Sequence, residues 1–158
     1  MLLAPESQRH APHSQIPESV QMRSMSSTSD LITAYYAAFN AGDTGAMLAC
    51  LSDDVVHDVN EGERQTGLES FRVFLAHMDS HYREQAKELV VMASADGRRA
   101  AAEFVIHGEY LKKDGDLPDA SGQRYVIAVG AFFEVKGGNI SRVTNYYNLS
   151  EWTRQIGG

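Results

Sequence analysis

The segment His57-Asp58-Val59-Asn60 sets an imidazole, a carboxylate and an amide along what reads as a strand, where apolar residues would suffice for a core. A second polar series runs through residues 100–111, another strand by its pattern. Strand residues two apart share a face. One face there carries Glu103, Val105, His107 and Glu109, and the other carries Ala102, Phe104, Ile106, Gly108 and Tyr110. In the closing strand Ser141, Val143, Asn145 and Tyr147 share a face, with Arg142, Thr144, Tyr146 and Asn148 opposite. Alternation alone leaves open which faces are concave. Each polar residue taken singly fits a solvent-facing position at the mouth of a sheet. As a set, His57 or Asp58, Glu103, His107, Asn145 and Tyr147 read better as converging on one cavity, because polar groups on apolar strands need partners. Carboxylates and imidazoles sharing an apolar pocket acquire shifted pKa values, which suits them to proton transfer near neutral pH.

Such a pocket needs a roof. Leu31, Ile32, Tyr35, Tyr36 and Phe39 recur at helical spacing. Thr28 or Ser29 can cap that helix, and Gly42 can end it in a left-handed conformation. Tyr35, Tyr36 and Phe39 then face the strands. Asp43 or Thr44 caps a second helix carrying Met47, Leu48 and Leu51. Val55 to Val59 reads as a strand, Glu61-Gly62-Glu63 as a turn, and Gly67 opens a third helix with Leu68, Phe71, Phe74, Leu75 and Met78 on one face. Residues 1–27 hold three of the four prolines and no periodic apolar pattern, so a disordered or loosely packed leader is expected before one domain at 28–158.

The second half changes period. Residues 89–95, 100–111, 123–135 and 140–149 read as four strands, joined by hairpin turns at Asp96-Gly97 and Gly137-Gly138-Asn139 and by a polar loop over 113–122. Helices followed by an antiparallel meander predict an α+β fold with helices on one face of a curved sheet. Tyr125 to Val135 is apolar on both alternating faces, and Tyr125 and Val129 share one of them. Helices can cover only one face, so the other is expected to pack against a second copy, giving a homodimer.

The totals exclude several classes. Fourteen basic against 21 acidic residues, net −7, disfavour nucleic acid and anionic membranes. No apolar run approaches the roughly 18 residues of a membrane helix, and no signal peptide is evident, so the cytoplasm is expected. The single cysteine, Cys50, reads as a small core residue. His77 and His81 lie four apart on the third helix but lack an evident third ligand, so no metal and no other cofactor is expected. No serine sits on a nucleophile elbow, and Gly130 precedes no helix that would cradle a phosphate.

The helix ending at Gly42-Asp43, the start Ser52-Asp53-Asp54-Val55-Val56, the segment His57 to Gly62 and the ending Arg142-Val143-Thr144-Asn145-Tyr146-Tyr147-Asn148-Leu149 together resemble the NTF2-like superfamily, more narrowly its ketosteroid isomerase-related and SnoaL-like members. The resemblance covers about residues 29–155. It implies a cone-shaped α+β barrel, commonly dimeric through the outer sheet face. Glu103, Val105, His107, Asn145 and Tyr147 would then line the cavity, and Tyr35 would occupy the place of the oxyanion-binding tyrosine. In that chemistry a carboxylate base works with a tyrosine and a neutral carboxylic acid, a system used as a worked case of pKa tuning. The position of the base falls on Val59, one residue after Asp58, and the second acid falls near Val129. These departures argue against steroid isomerisation by that constellation.

The resulting expectation is a cofactor-independent enzyme moving a proton on an apolar carbonyl-bearing or cyclic small molecule, isomerase- or cyclase-like. Asp58 or Glu103 is the expected base, His57 or His107 its partner, and Tyr35 or Tyr147 the oxyanion donor. Tyr36, Phe39, Val59, Val105, Tyr125, Val129, Asn145 and Tyr147 are the expected ligand contacts. The alternatives are a non-catalytic binding module, an epoxide-hydrolase-like hydrolase and a dimerising accessory protein.

Overall fold

The computed structural model describes residues 17–157; residues 1–16 of the expected leader lie outside them. Helix α1 (Glu18–Ala41) starts directly after Pro17, ten residues before the expected cap. The intervening sequence holds Glu, Gln, Met and Arg and lacks Gly and Pro, so nothing in it stops a helix. Thr28 lies inside α1 instead of capping it, and its buried hydroxyl donates to the Gly97 carbonyl at 2.7 Å, tying the helix to a hairpin turn. Ile32, Tyr35, Tyr36 and Ala38 form the buried stripe. Gly42, at φ 66°, caps α1 in the left-handed region, where a side chain would be strained. Helix α2 (Thr44–Ala49) is capped by the Asp43 carboxylate, which accepts from the Ala46 N–H at 2.9 Å.

Six strands form one curved, unclosed sheet in the order β2-β1-β6-β5-β4-β3. They are β1 (Leu51–Asp58), β2 (Arg64–Thr66), β3 (Tyr82–Ala93), β4 (Arg99–Tyr110), β5 (Gln123–Lys136) and β6 (Asn139–Tyr147). Pairing is antiparallel throughout except between β1 and β6, which run parallel. Helix α3 (Leu68–His81) runs straight into β3, so the strand starts seven residues earlier than expected. A bulge at Glu88, φ 57°, shifts the β3 register between Lys87 and Val90.

The chain closes with a fourth helix, α4 (Leu149–Gly157), absent from the sequence reading. Its signal was present: the Asn148 side chain accepts from the Glu151 N–H at 3.1 Å, an N-cap with an acidic residue three positions on.

Along β5, Tyr125, Ile127, Val129, Ala131 and Phe133 are buried, whereas Val126 and Phe132 are about half exposed. The helices therefore cover one face of the sheet and leave an apolar outer face. Among the described residues no helix is long and apolar enough to cross a membrane.

Candidate functional site

The helices and the inner sheet face enclose a cavity of about 410 Å³. Tyr35, Tyr36 and Phe39 of α1 roof it, and Phe71, Phe74, Leu75 and Met78 of α3 form a wall. Phe104, Ile106, Ile127 and Val129 floor it from β4 and β5. Tyr36 packs on Phe104 with ring centroids 4.7 Å apart, so the roof is fixed to the floor. In this apolar lining two polar stations stand out.

The first is His57. It is 2% exposed, with the rings of Phe71 and Phe74 centred 4.6 Å and 4.5 Å from its own. Burial lowers its pKa to about 4, against a smaller opposing pull from Asp58, so the imidazole is neutral at physiological pH. The Asn145 amide faces its Nε2 at 3.5 Å. An amide N–H donates to a bare ring nitrogen, so the proton sits on Nδ1, a buried atom that has no protein partner. Asn60 is occupied: its side chain pairs with the backbone N–H and carbonyl of Tyr147 and extends the β1–β6 junction.

The second station is Glu84 of β3, which the sequence reading missed. Its Oε1 accepts from the Tyr125 hydroxyl at 2.5 Å. Glu84 pairs with Gly108, and Gly108 pairs with Tyr125, so the three stand in one row across three strands. Burial raises the Glu84 pKa, and the bond from Tyr125 offsets part of that rise. Tyr125 is pushed up by burial and by the adjacent carboxylate, so its proton stays on the phenol. Trp152 of α4 packs edge-on against the Tyr125 ring, with centroids 5.9 Å apart.

Of the expected catalytic residues, His57 and Tyr35 line the cavity and Asp58, Glu103 and His107 do not. Asp58 lies on the other side of β1. Arg64 holds it through two bonds, at 2.6 Å and 3.0 Å, and Thr144 donates to it at 2.9 Å. The Arg64 bond is the main reason its pKa is lowered. Glu103 and His107 are exposed and Val105 is half-buried on the outer face. The parity of β4 is the reverse of the one expected: Phe104, Ile106 and Tyr110 are the buried residues, so the odd-numbered series points away from the cavity. All the other expected contacts, Tyr36, Phe39, Val59, Tyr125, Val129, Asn145 and Tyr147, line it. Burial raises the pKa values of Tyr35, Tyr36 and Tyr147, keeping them as neutral hydroxyls.

At one edge of the cavity His77 Nε2 lies 2.9 Å from Asp114 Oδ2, and the Tyr82 hydroxyl donates to the same oxygen at 2.7 Å. Burial pushes the Asp114 carboxyl up, but the bonds from His77 and Tyr82 outweigh it and leave the pKa lowered. The loop over 113–122 thus supplies the His77–His81 pair with the acidic neighbour that the sequence did not reveal.

The family profile of the SnoaL-like domain matches residues 32–143. Among solved structures, a candidate polyketide cyclase from Pseudomonas putida is 56% identical, with a TM-score of 0.81 over 82% of this chain and 97% of that one. A candidate polyketide cyclase from Xanthomonas campestris is 51% identical, with a TM-score of 0.83 over 84% and 98%. A third, from a Silicibacter species, is 48% identical, with a TM-score of 0.82 over 85% and 98%. A comparison with curated proteins gives no match.

Proposed function

The chain belongs to the SnoaL-like domain family, and from that premise we propose that its cavity binds an apolar carbonyl-bearing or cyclic molecule and moves a proton on it, as an isomerase or cyclase does. The observation that carries this reading is Glu84. It is a carboxylate facing a mostly apolar cavity wall, its pKa raised by burial, with one oxygen held by Tyr125. A carboxylate whose proton affinity is raised by burial and whose orientation is fixed by a donor suits proton abstraction beside a carbonyl. In this reading Glu84 replaces Asp58 and Glu103 as the base, its Oε2 taking the proton while Oε1 stays bonded to Tyr125. The buried hydroxyls of Tyr35 and Tyr147 and the Asn145 amide line the same cavity and supply donors for a developing oxyanion. His57, neutral and wedged between two phenylalanines, orients Asn145.

The names of the three bacterial relatives support a cyclisation more than a double-bond shift. Both begin with the same step, loss of a proton next to a carbonyl. We further propose that the protein works as a homodimer through the outer sheet face, where Val126, Phe132 and Tyr146 are about half exposed.

The test is deuterium incorporation from heavy water at the α-carbon of apolar cyclic ketones, followed by mass spectrometry, with wild type and Glu84→Gln. Exchange that depends on Glu84 supports the proposal. Binding of the same ketones without exchange above buffer would leave the cavity as a binding module and end the catalytic reading.

A further inference from the structure

His77 and His81 sit one turn apart at the end of α3, and Asp114 reaches them from the loop after β4. One donor atom from each lies within 4.8 Å of the other two. We propose that these three residues form a binding site for a divalent transition-metal ion. Donors bound tetrahedrally to one ion at about 2.1 Å stand about 3.4 Å apart, so closure needs side-chain shifts of at most about 1.5 Å. Two imidazoles and one carboxylate, with the remaining positions open, is a donor set that suits zinc, iron(II) or cobalt(II) rather than calcium or magnesium.

The surroundings order these donors as a metal site requires. His81 Nδ1 faces the His77 carbonyl at 2.8 Å. A carbonyl only accepts, so Nδ1 carries the proton and Nε2 keeps its lone pair, the usual arrangement for a ligating imidazole. The Ser80 hydroxyl lies 2.7 Å from the same Nδ1 and reinforces that tautomer. The two rings stack with centroids 4.2 Å apart, so both imidazoles are side by side. Asp114 is fixed from two directions. Its carboxylate accepts from the Tyr82 hydroxyl, and its backbone N–H donates to the Tyr110 hydroxyl at 2.9 Å, which in turn donates to the Pro118 carbonyl. Tyrosines that hold a ligating carboxylate in place are a typical outer shell.

His77 Nε2 already points at Asp114 Oδ2, 2.9 Å away. An ion would take the place of the proton between them, so binding should release protons and weaken as the pH falls. His77 and Asp114 also line the cavity. The open coordination positions would therefore face bound substrate at the edge of the site, apart from Glu84. The net charge of −7 favours a cation there.

The test uses the full chain stripped with a chelator, then titrated with zinc(II) by calorimetry and with cobalt(II) by visible absorption. The expected result is one equivalent per chain with micromolar or tighter affinity, and a cobalt spectrum typical of low coordination number. His81→Gln and Asp114→Asn should each weaken zinc by about tenfold or more, and Tyr82→Phe by less, with circular dichroism unchanged. Millimolar affinity, or an affinity that Asp114→Asn leaves intact, would overturn the site; the latter would mean that a bare histidine pair binds metal on the helix surface. Each readout is binding, so failure here leaves the exchange assay on Glu84 unaffected.

Discussion

The phenol of Tyr125 lies flat across Gly108 and donates to Glu84 on the far neighbouring strand. A Cβ on Gly108 would stand 2.1 Å from Tyr125 Cζ and 2.6 Å from its hydroxyl oxygen. Only a residue without a side chain lets the ring cross the middle strand. Gly108→Ala should therefore expel Tyr125 from its bed, leave Glu84 without its donor and cost about 3 kcal/mol, the upper range for overpacking a core. Urea denaturation measures the loss. A midpoint within error of wild type would show that the ring has another resting place.

Tyr125→Phe keeps the ring and removes the donor. Burial then acts on Glu84 with less opposition, so its pKa rises further. If the ionised carboxylate is the base, the acid limb of the pH–rate profile moves to higher pH, and the variant loses more activity at pH 6 than at pH 8. The stability cost of the orphaned acceptor is about 1–3 kcal/mol. An acid limb that does not move would remove Glu84 from the rate-determining protonation.

Glu84→Gln separates stability from activity. A carboxyl whose folded pKa lies above its unfolded value favours folding at low pH and penalises it as the pH rises through the folded pKa. Glutamine removes that penalty and can still accept from the Tyr125 hydroxyl. The variant should melt no lower than wild type at pH 7.5 while exchange falls by about 10²–10⁴-fold, the usual contribution of a general base. Thermal melts alongside the exchange assay give both numbers. A large drop in melting temperature would instead make Glu84 a structural anchor.

Much of this arrangement could be read from the chain, and the exceptions have definite causes. The aromatic face of α1 and its Gly42 stop are strong local signals, and they placed Tyr35, Tyr36 and Phe39 over the strands. His57 and Asp58 could not be ranked, because the choice was made by Arg64, a residue six positions on that pairs with Asp58. The parity of β4 was misread because Glu103 and His107 look like chemistry, whereas Phe104 and Ile106 look like filler; the register is held by packing of that filler. Glu84 was missed because Tyr82 to Glu88 is too polar to announce a strand. Its inward residues, Tyr82, Glu84 and Ala86, gain their environment from tertiary contacts.

His57 sets an acid limit on stability. Its folded pKa, about 4, lies below the model-peptide value of 6.5. Below 6.5 the unfolded chain takes up a proton that the folded chain refuses, so stability is full above that pH and falls down to about 4. The loss is on the order of 3 kcal/mol by linkage. His57→Phe, matching the aromatic cage in shape, should flatten the fall between pH 6.5 and 4, and the difference between the two proteins removes the contribution of Glu84, which runs the opposite way. An equal change in urea midpoint between pH 7 and pH 5 for wild type and His57→Phe would show that the imidazole titrates normally.

The outer face of β5 and β6 carries Phe132 and Tyr146 in edge-to-face contact, ring centroids 5.9 Å apart, yet 48% and 58% exposed. Val126 continues this strip along β5 at 50%. Two large rings and a valine in one exposed strip are costly to leave in water, and burying the exposed half of each recovers about 1 kcal/mol. A second copy meeting this face about a twofold axis would pack each strip against its own counterpart, a self-complementary arrangement. Light scattering should give a dimer at micromolar concentration. Phe132→Lys with Tyr146→Lys should give a monomer with unchanged circular dichroism, since neither side chain enters the core. A wild-type monomer under those conditions would rule this interface out.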